Sequence, residues 1–355
     1  MSAALALLIL ASLLAPSGAA QGVAAARAAA QGVDEQRVAN ERAVVERHVV
    51  AMGTSLLLEV TAADRATALA ASEAAVRAVE QAEQRLSSWR DDAEVARLAS
   101  VRPGDAVPAS AALCADLRRA LDWRAATGGA FDPDVGDLVA LYDLRGAGRW
   151  PSEGEVRAAL ARRGPARLAV LERALRKLGD VQLDAGAFGK GAGLDAAAAA
   201  ALARGARAAA FDFGGQLHLV GDVAARDVEV PDPRDRGRCV ARVRVARGAV
   251  ATTSNSERAR VVDGRALGHV LDPRTGRPAA EFGAVTVFAS SALDADCLST
   301  ACYVLGPERA IALAERTCGV EVLVLQVTDE GGLLARASSG LRGRVRAQCT
   351  DLHIQ

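Results

Sequence analysis

The chain of 355 residues carries 43 Lys and Arg against 43 Asp and Glu, and only 3% of its residues are aromatic. Nucleic-acid binders depend on a basic excess and on aromatic stacking platforms, so this composition argues against that class. At 51% hydrophobic and 24% charged residues it argues equally against a mainly disordered chain, and the length suits one large domain or two moderate ones.

The long apolar run Ala3 to Leu14 ends before Pro16-Ser17-Gly18 and the small residues Ala19-Ala20. About twelve apolar residues are too few to span a hydrocarbon core of roughly 30 Å, and small residues follow where a leader would be cut. Residues 1–20 therefore read as a signal peptide, and the chain as exported to the periplasm or cell envelope. Residues 21–44, rich in Ala, Gln and Arg without an apolar face, read as a linker, and the domain is expected over 45–340 with a separate tail at 341–355.

Val49 to Val60 has strand character, and Ala66 to Ser87 carries Ala, Val and Leu at three- and four-residue spacing, which predicts a helix. Ala109 to Thr127 predicts a second helix, closed by Gly128-Gly129. Phe131 to Leu144 reads as a loop, and Gly154 to Leu178 as a third helix broken at Gly164-Pro165. Beyond Val181 short β runs (Ala208 to Leu219, Val240 to Val245, Val261 to Leu271, Val285 to Phe288, Val320 to Val327) alternate with helices at Lys190 to Arg204, Asp294 to Leu305 and Pro307 to Thr317. The expected class is α+β, with mixed sheets flanked by helices.

Six cysteines lie far apart with no C-x-x-C, which argues against a zinc knuckle, and Cys297 and Cys302 fall in an apolar helix where buried thiols are expected. No G-x-S-x-G, H-E-x-x-H or Rossmann G-x-G-x-x-G occurs, removing the commonest hydrolase, metalloprotease and dinucleotide readings.

Three segments could carry chemistry. Leu183-Asp184-Ala185-Gly186-Ala187-Phe188-Gly189-Lys190-Gly191 is a glycine-punctuated turn opening a helix, where backbone N–H groups and Lys190 could meet a phosphate. It is not a P-loop, because Asp184 stands where the first Gly belongs and Gly191 follows the Lys; plain connectivity remains the alternative. In Asp294-Ala295-Asp296-Cys297-Leu298-Ser299-Thr300, Asp296 and Thr300 are i and i+4 on one helical face, two hard oxygens of the kind Mg²⁺ takes, with an Asp N-cap and a solvent-facing Thr as the alternative. His269 to Pro278 runs from a strand end into a Pro/Gly turn. Among four histidines His269 is the one in a polar, turn-rich context, a candidate general base or a hydrogen-bonded turn residue.

In this order the segments, with Met52-Gly53-Thr54, Phe213-Gly214-Gly215, Thr252-Thr253-Ser254 and Val304-Leu305-Gly306, resemble the ApbE family of FAD:protein FMN transferases over about residues 50–325. The resemblance implies a single large unit with an FAD cleft between subdomains, and an exported enzyme that uses Mg²⁺ and takes FAD as substrate. Such an enzyme links FMN by a phosphoester to a Thr or Ser of an acceptor protein and releases AMP. The acceptor would belong to a membrane redox complex, putting the enzyme peripherally near a membrane; no nucleic acid is expected.

By that similarity Asp296, Thr300 and the backbone carbonyl of Ala187 would hold the metal. Met52, Gly53, Thr54, Asp132, Asp184, Lys190, Gly215, Ser254 and His269 would line the FAD site, Trp89 would stack on adenine, and His269 and Lys190 would be catalytic. Several positions depart from the family pattern: Ala93 for Ser, Ala99 for Asn, Asp134 for Thr, Ala192 for an aromatic, and Asn255 for Gly. Water as the attacking group, giving an FAD pyrophosphatase, and an idle FAD-binding protein are the alternatives.

Overall fold

The computed structural model describes residues 42–88, 90, 92–164, 167–255 and 260–355; the leader and all but the last residues of the expected linker lie outside the described residues. The fold begins with a hairpin of β1 (Ala43–Ala51) and β2 (Thr54–Ala62), so the linker yields to strand at Ala43. The single strand expected over 49–60 is thus two. Met52 and Gly53 take φ of 46° and 73°, the left-handed pair a tight two-residue turn requires, and a Met at the first of the two positions does not mark such a turn.

Helix α1 (Arg65–Leu86) starts where the Asp64 carboxylate accepts the Thr67 N–H at 2.8 Å, and it buries a face of small residues including Ala68, Ala71, Ala75 and Ala82. β3 (Ala106–Pro108) leads to α2 (Ala111–Ala126), capped by Ser110. The loop expected over 131–144 contains a short helix, α3 (Gly136–Leu141), anchored by the fully buried Leu138. The third expected helix is shorter than predicted. α4 (Glu153–Ala161), closed at its start by a Ser152/Glu155 capping box, gives way to the hairpin β4 (Leu168–Val170) and β5 (Ala174–Lys177), whose alternating burial at Leu175 and Lys177 shows the strand period.

Then follow α5 (Gly189–Ala203), β6 (Ala208–Phe213) and β7 (Gln216–Gly221), the last two split by positive φ at Gly214 and Gly215 within the run expected as one. β8 (Arg226–Pro231), β9 (Cys239–Val245) and β10 (Gly248–Ser254) precede β11 (Arg260–Val262), β12 (Arg265–Leu267) and β13 (Leu271–Asp272), which divide the run expected over 261–271, and β14 (Arg277–Pro278) pairs with β13. β15 (Gly283–Ala289), α6 (Ala292–Leu305), α7 (Pro307–Glu315), β16 (Glu321–Val327), β17 (Leu333–Ala337), β18 (Val345–Ala347) and β19 (Leu352–Ile354) complete the chain.

Nine strands form the main sheet in the order β1-β2-β6-β7-β10-β15-β16-β17-β19, antiparallel except for the β17–β19 pair, so the sheet is mixed. A three-stranded sheet, β18-β9-β8, covers one of its faces. β15 shows why a central strand reads as an unbroken apolar run: Val285 and Val287 join the core under the helices, whereas Ala284 and Phe288 join the core under the small sheet with Val230 and Val243. The segment beyond residue 340, expected as a tail, belongs to the same folded unit of 43–355, supplying β18 to one sheet and β19 to the other. Among the described residues no helix is long and apolar enough to cross a membrane.

Two contacts fix α6 against α5. Gly191 lies so close to α6 that a Cβ there would overlap the Ala292 carbonyl and sit 2.6 Å from the Leu293 Cα. One turn on, the Asp195 carboxylate accepts the Ala292 and Leu293 N–H groups at 2.8 and 3.0 Å and the Ser291 hydroxyl at 2.6 Å, so a side chain of one helix caps the N-terminus of the next. Gly191→Ala is expected to cost about 1–3 kcal/mol through overpacking. Asp195→Ala is expected to cost about 1–2 kcal/mol as a lost cap. Urea unfolding checks both, and wild-type midpoints would contradict this packing.

Candidate active site

The polar residues converge where α5 and α6 begin. Asp184 opens the turn: its N–H donates to the Pro133 carbonyl at 2.8 Å, and its carboxylate accepts the Gly186 N–H at 2.7 Å, starting a single 3₁₀ turn at Ala185–Ala187. The other carboxylate oxygen accepts Arg145 Nη2 at 2.6 Å, and Arg145 also donates to the Ser88 hydroxyl at 2.5 Å and the Ser88 carbonyl at 3.1 Å. Arg145 therefore ties the segment next to residue 89 to the glycine turn. Sequence reasoning missed it, because nothing local marks an Arg in a short helix-to-helix connection.

Two carboxylates two residues apart on α6 have opposite fates. Asp294 receives a bidentate Arg119 at 2.6 and 2.8 Å and the Trp123 indole N–H at 2.6 Å, with the Arg119 guanidinium 4.7 Å over the Trp123 ring, so its charge is spent on holding α2. Asp296 points instead to α5, where its carboxylate accepts the Gly191 N–H at 3.0 Å. Thr300 lies one turn further along the helix, and the 3₁₀ turn carrying Ala187 packs against α6. The turn carrying Ala187 and the helix carrying Asp296 and Thr300 are thus neighbours. Cys297, next to Asp296, is fully buried; burial first, then the Asp296 and Asp294 charges, push its thiol well above the usual range, so it stays a neutral packing group.

Asp296 and Lys190 line a cleft of about 440 Å³ with Asp212, Gly215 and Thr252, walled on its far side by Glu229 and Arg238. Gly215 donates its N–H to the Asp212 carboxylate at 2.9 Å, which holds the β6–β7 turn at the cleft edge. Gln216 is almost fully buried there, and its Nε2 donates to the Ala292 carbonyl at 2.8 Å, a second tie on the start of α6. A further cleft of about 760 Å³ is lined by Ser88, Leu98, Ala99, Val139, Arg145 and Leu183, at the other end of the Asp184 turn.

Met52 donates its N–H to the Glu83 carboxylate at 3.1 Å, and its side chain reaches α5 at Gly193, where an added Cβ would lie 3.3 Å from the Met52 methyl. Thr54 packs at Gly214, so the 52–54 turn and the β6–β7 turn sit side by side. Ser254 donates to the Gly283 carbonyl at 2.9 Å and is buried. His269 is half-buried between Gly268 and Val270. Neither cleft counts Ser254 or His269 in its lining.

Asp132 has a different setting from the rest. It is buried between Arg124 Nε at 3.0 Å and Arg163 Nη2 at 2.9 Å, away from both clefts, so its carboxylate braces the chain around Phe131. Asp134, present where the family has Thr, is matched by its own partner: it ion-pairs with Arg167 and accepts the Gln182 N–H at 2.7 Å. The family's aromatic after Gly191 is replaced by Ala192, which is buried against the main core. Trp89 lies outside the described residues. His218, on β7, is 3.6 Å from the Asp195 carboxylate; burial lowers its pKa despite that charge, leaving a neutral imidazole in the core.

The chain is similar in sequence and fold to known proteins. The family model described as the ApbE family covers residues 52–324. The FAD:protein FMN transferase of Treponema pallidum is 32% identical over 300 residues, 78% of this chain and 82% of that protein, and that of Escherichia coli K12 is 31% identical over 70% of this chain and 74% of its own. Among solved structures, the ApbE protein of Thermotoga maritima superposes with a TM-score of 0.75 at 27% identity over 86% of this chain and all of its own. The apo flavinyl transferase ApbE of Pseudomonas stutzeri gives 0.74 at 27% identity over 85% of this chain and 97% of that one. With the glycine turn, the paired helix starts and this extent of similarity in hand, the chain belongs to the ApbE family.

Proposed function

We propose that this chain is a Mg²⁺-dependent FAD:protein FMN transferase, which splits the pyrophosphate of FAD, joins FMN to a Thr or Ser hydroxyl of an acceptor protein, and releases AMP. The observation that carries the reading is the separation of the two α6 carboxylates: Asp294 is clamped by Arg119 and Trp123, while Asp296 faces the start of α5 and shares a cleft with Lys190. The names of the relatives, FAD:protein FMN transferase, support the flavin chemistry.

The donor set fits a hard cation. One carboxylate (Asp296), one hydroxyl (Thr300) and one backbone carbonyl (Ala187) would hold Mg²⁺, an ion that takes few protein carboxylates and keeps water and phosphate oxygens in its shell. When bound, the ion neutralises charge that builds on the phosphate oxygens during transfer. Lys190 and the N–H groups of the glycine turn supply a second source of positive potential to the same phosphates. Arg145 and Asp184 hold the turn and the residue-88 segment at a fixed spacing, which positions FAD across it.

In the transfer step the acceptor oxygen bonds to the phosphorus of the FMN half, the bond to the bridging oxygen breaks, and AMP leaves with that electron pair. His269 takes the hydroxyl proton. The acceptor is a protein of a membrane redox complex, met on the exported side, in keeping with the leader read from residues 1–20.

Two substitutions test the roles. Asp296→Ala should abolish Mg²⁺-dependent FMN transfer while leaving the fold intact, and a fully active variant would remove Asp296 from the metal site. His269→Ala should slow transfer by ~10²-fold or more, as loss of a general base does; an unchanged rate would make His269 a turn residue only. Both are read by flavin fluorescence retained on the acceptor after denaturing electrophoresis.

A further inference from the structure

We propose that Asn255 is the positioning residue of His269, and that Asn255 and Gly268 form a matched pair in which the bulk of one requires the absence of a side chain at the other. This rests on the transferase reading, in which His269 takes the proton.

Asn255 directly follows β10 and is 2% exposed. Its Oδ1 accepts the Val270 N–H at 3.0 Å. Its carboxamide also lies against the backbone of Gly268, where an added Cβ would overlap Nδ2 and stand 2.6 Å from Cγ and 2.8 Å from Oδ1. The one side chain therefore touches the residues on both sides of His269. Val270 is itself buried in the main core, and its carbonyl accepts the Ala279 N–H at 2.9 Å, which closes the segment from the other side.

With the backbone of 268–270 held in this way, the imidazole has only its own two side-chain torsions left to settle, and a general base held in place loses little freedom on reaching its proton. A buried amide oxygen is suited to the task because leaving the Val270 N–H without an acceptor in the core would be costly. The family usually has Gly where Asn255 stands. In this chain the carboxamide fills the space that a Gly at 255 would leave, and Gly268 makes room for it.

The test uses the full chain labelled with ¹³C-histidine. Its four histidines give a spectrum simple enough to assign the His269 ring signal by its loss in His269→Ala. In Asn255→Ala and in Gly268→Ala the His269 signal should move or broaden while those of His48, His218 and His353 stay, and kcat for FMN transfer should fall by about 10-fold or more with KM for FAD nearly unchanged. In Asn255→Ala/Gly268→Ala the added methyl no longer meets the carboxamide, so the second substitution should cost little beyond the first.

A His269 signal unmoved in Asn255→Ala would overturn the positioning role. A Gly268→Ala cost that is the same with and without the carboxamide would overturn the matched pair. If Asn255→Ala does not fold, Asn255→Ser, too short to reach the Val270 N–H, takes its place with the same expectations. A wild-type chain that transfers no FMN would defeat the transferase reading, while the spectrum would still decide the placement of His269.

Discussion

The close crossing of two helix starts governs the site. α5 and α6 can approach only because residue 191 has no side chain, and the approach is useful because each helix then serves the other: Asp195 of α5 caps α6, and Asp296 of α6 accepts an N–H at the start of α5. An acidic side chain at a helix N-terminus is favourable in both cases, since the unpaired N–H groups and the macrodipole make that end positive. The outcome is a carboxylate on one helix set against the glycine turn that opens the other, in a cleft that Lys190 also lines. That combination suits a cation and a phosphate together.

The rest of the molecule supports this crossing from several sides. Arg119 and Trp123 remove the competing charge of Asp294, Gln216 holds the first carbonyl of α6, and Arg145 fastens the glycine turn to the residue-88 segment. The main sheet, with apolar side chains on both faces, gives these groups a rigid floor. Two polar departures from the family come with their own partners: Asp134 with Arg167, and Asn255 with the Val270 N–H in space that Gly268 leaves open. Such pairs keep a buried polar group satisfied after a substitution that would otherwise strand it.

Much of this could be read from residue order, and the parts that could not have physical reasons. The glycine turn and the i, i+4 relation of Asp296 and Thr300 are local, so spacing alone places them. The β1–β2 turn was hidden because a Met adopts positive φ there, an assignment that composition does not suggest. β4 and β5 read as helix in the sequence because strands of three and four residues are too short for alternation to stand out in residue types; in β5 it shows only in the burial of the folded chain. The choice between Asp294 and Asp296 depends on Arg119 and Trp123, more than 170 residues away in sequence. Arg145 and Asn255 act across shorter separations, 57 and 39 residues for Arg145 and 15 for Asn255, and no local pattern marks either.

The central claim is that this crossing serves cleavage of FAD with transfer of its FMN half to a protein hydroxyl. The most direct measurement is AMP release from FAD by the purified chain, with Mg²⁺ or with EDTA, and with or without a flavin-acceptor domain, following the acceptor by mass spectrometry. The account predicts AMP only when Mg²⁺ and acceptor are both present, with the acceptor heavier by one FMN phosphoester. AMP with free FMN in the absence of acceptor would instead make the chain a pyrophosphatase, and FAD binding without AMP would contradict catalysis altogether.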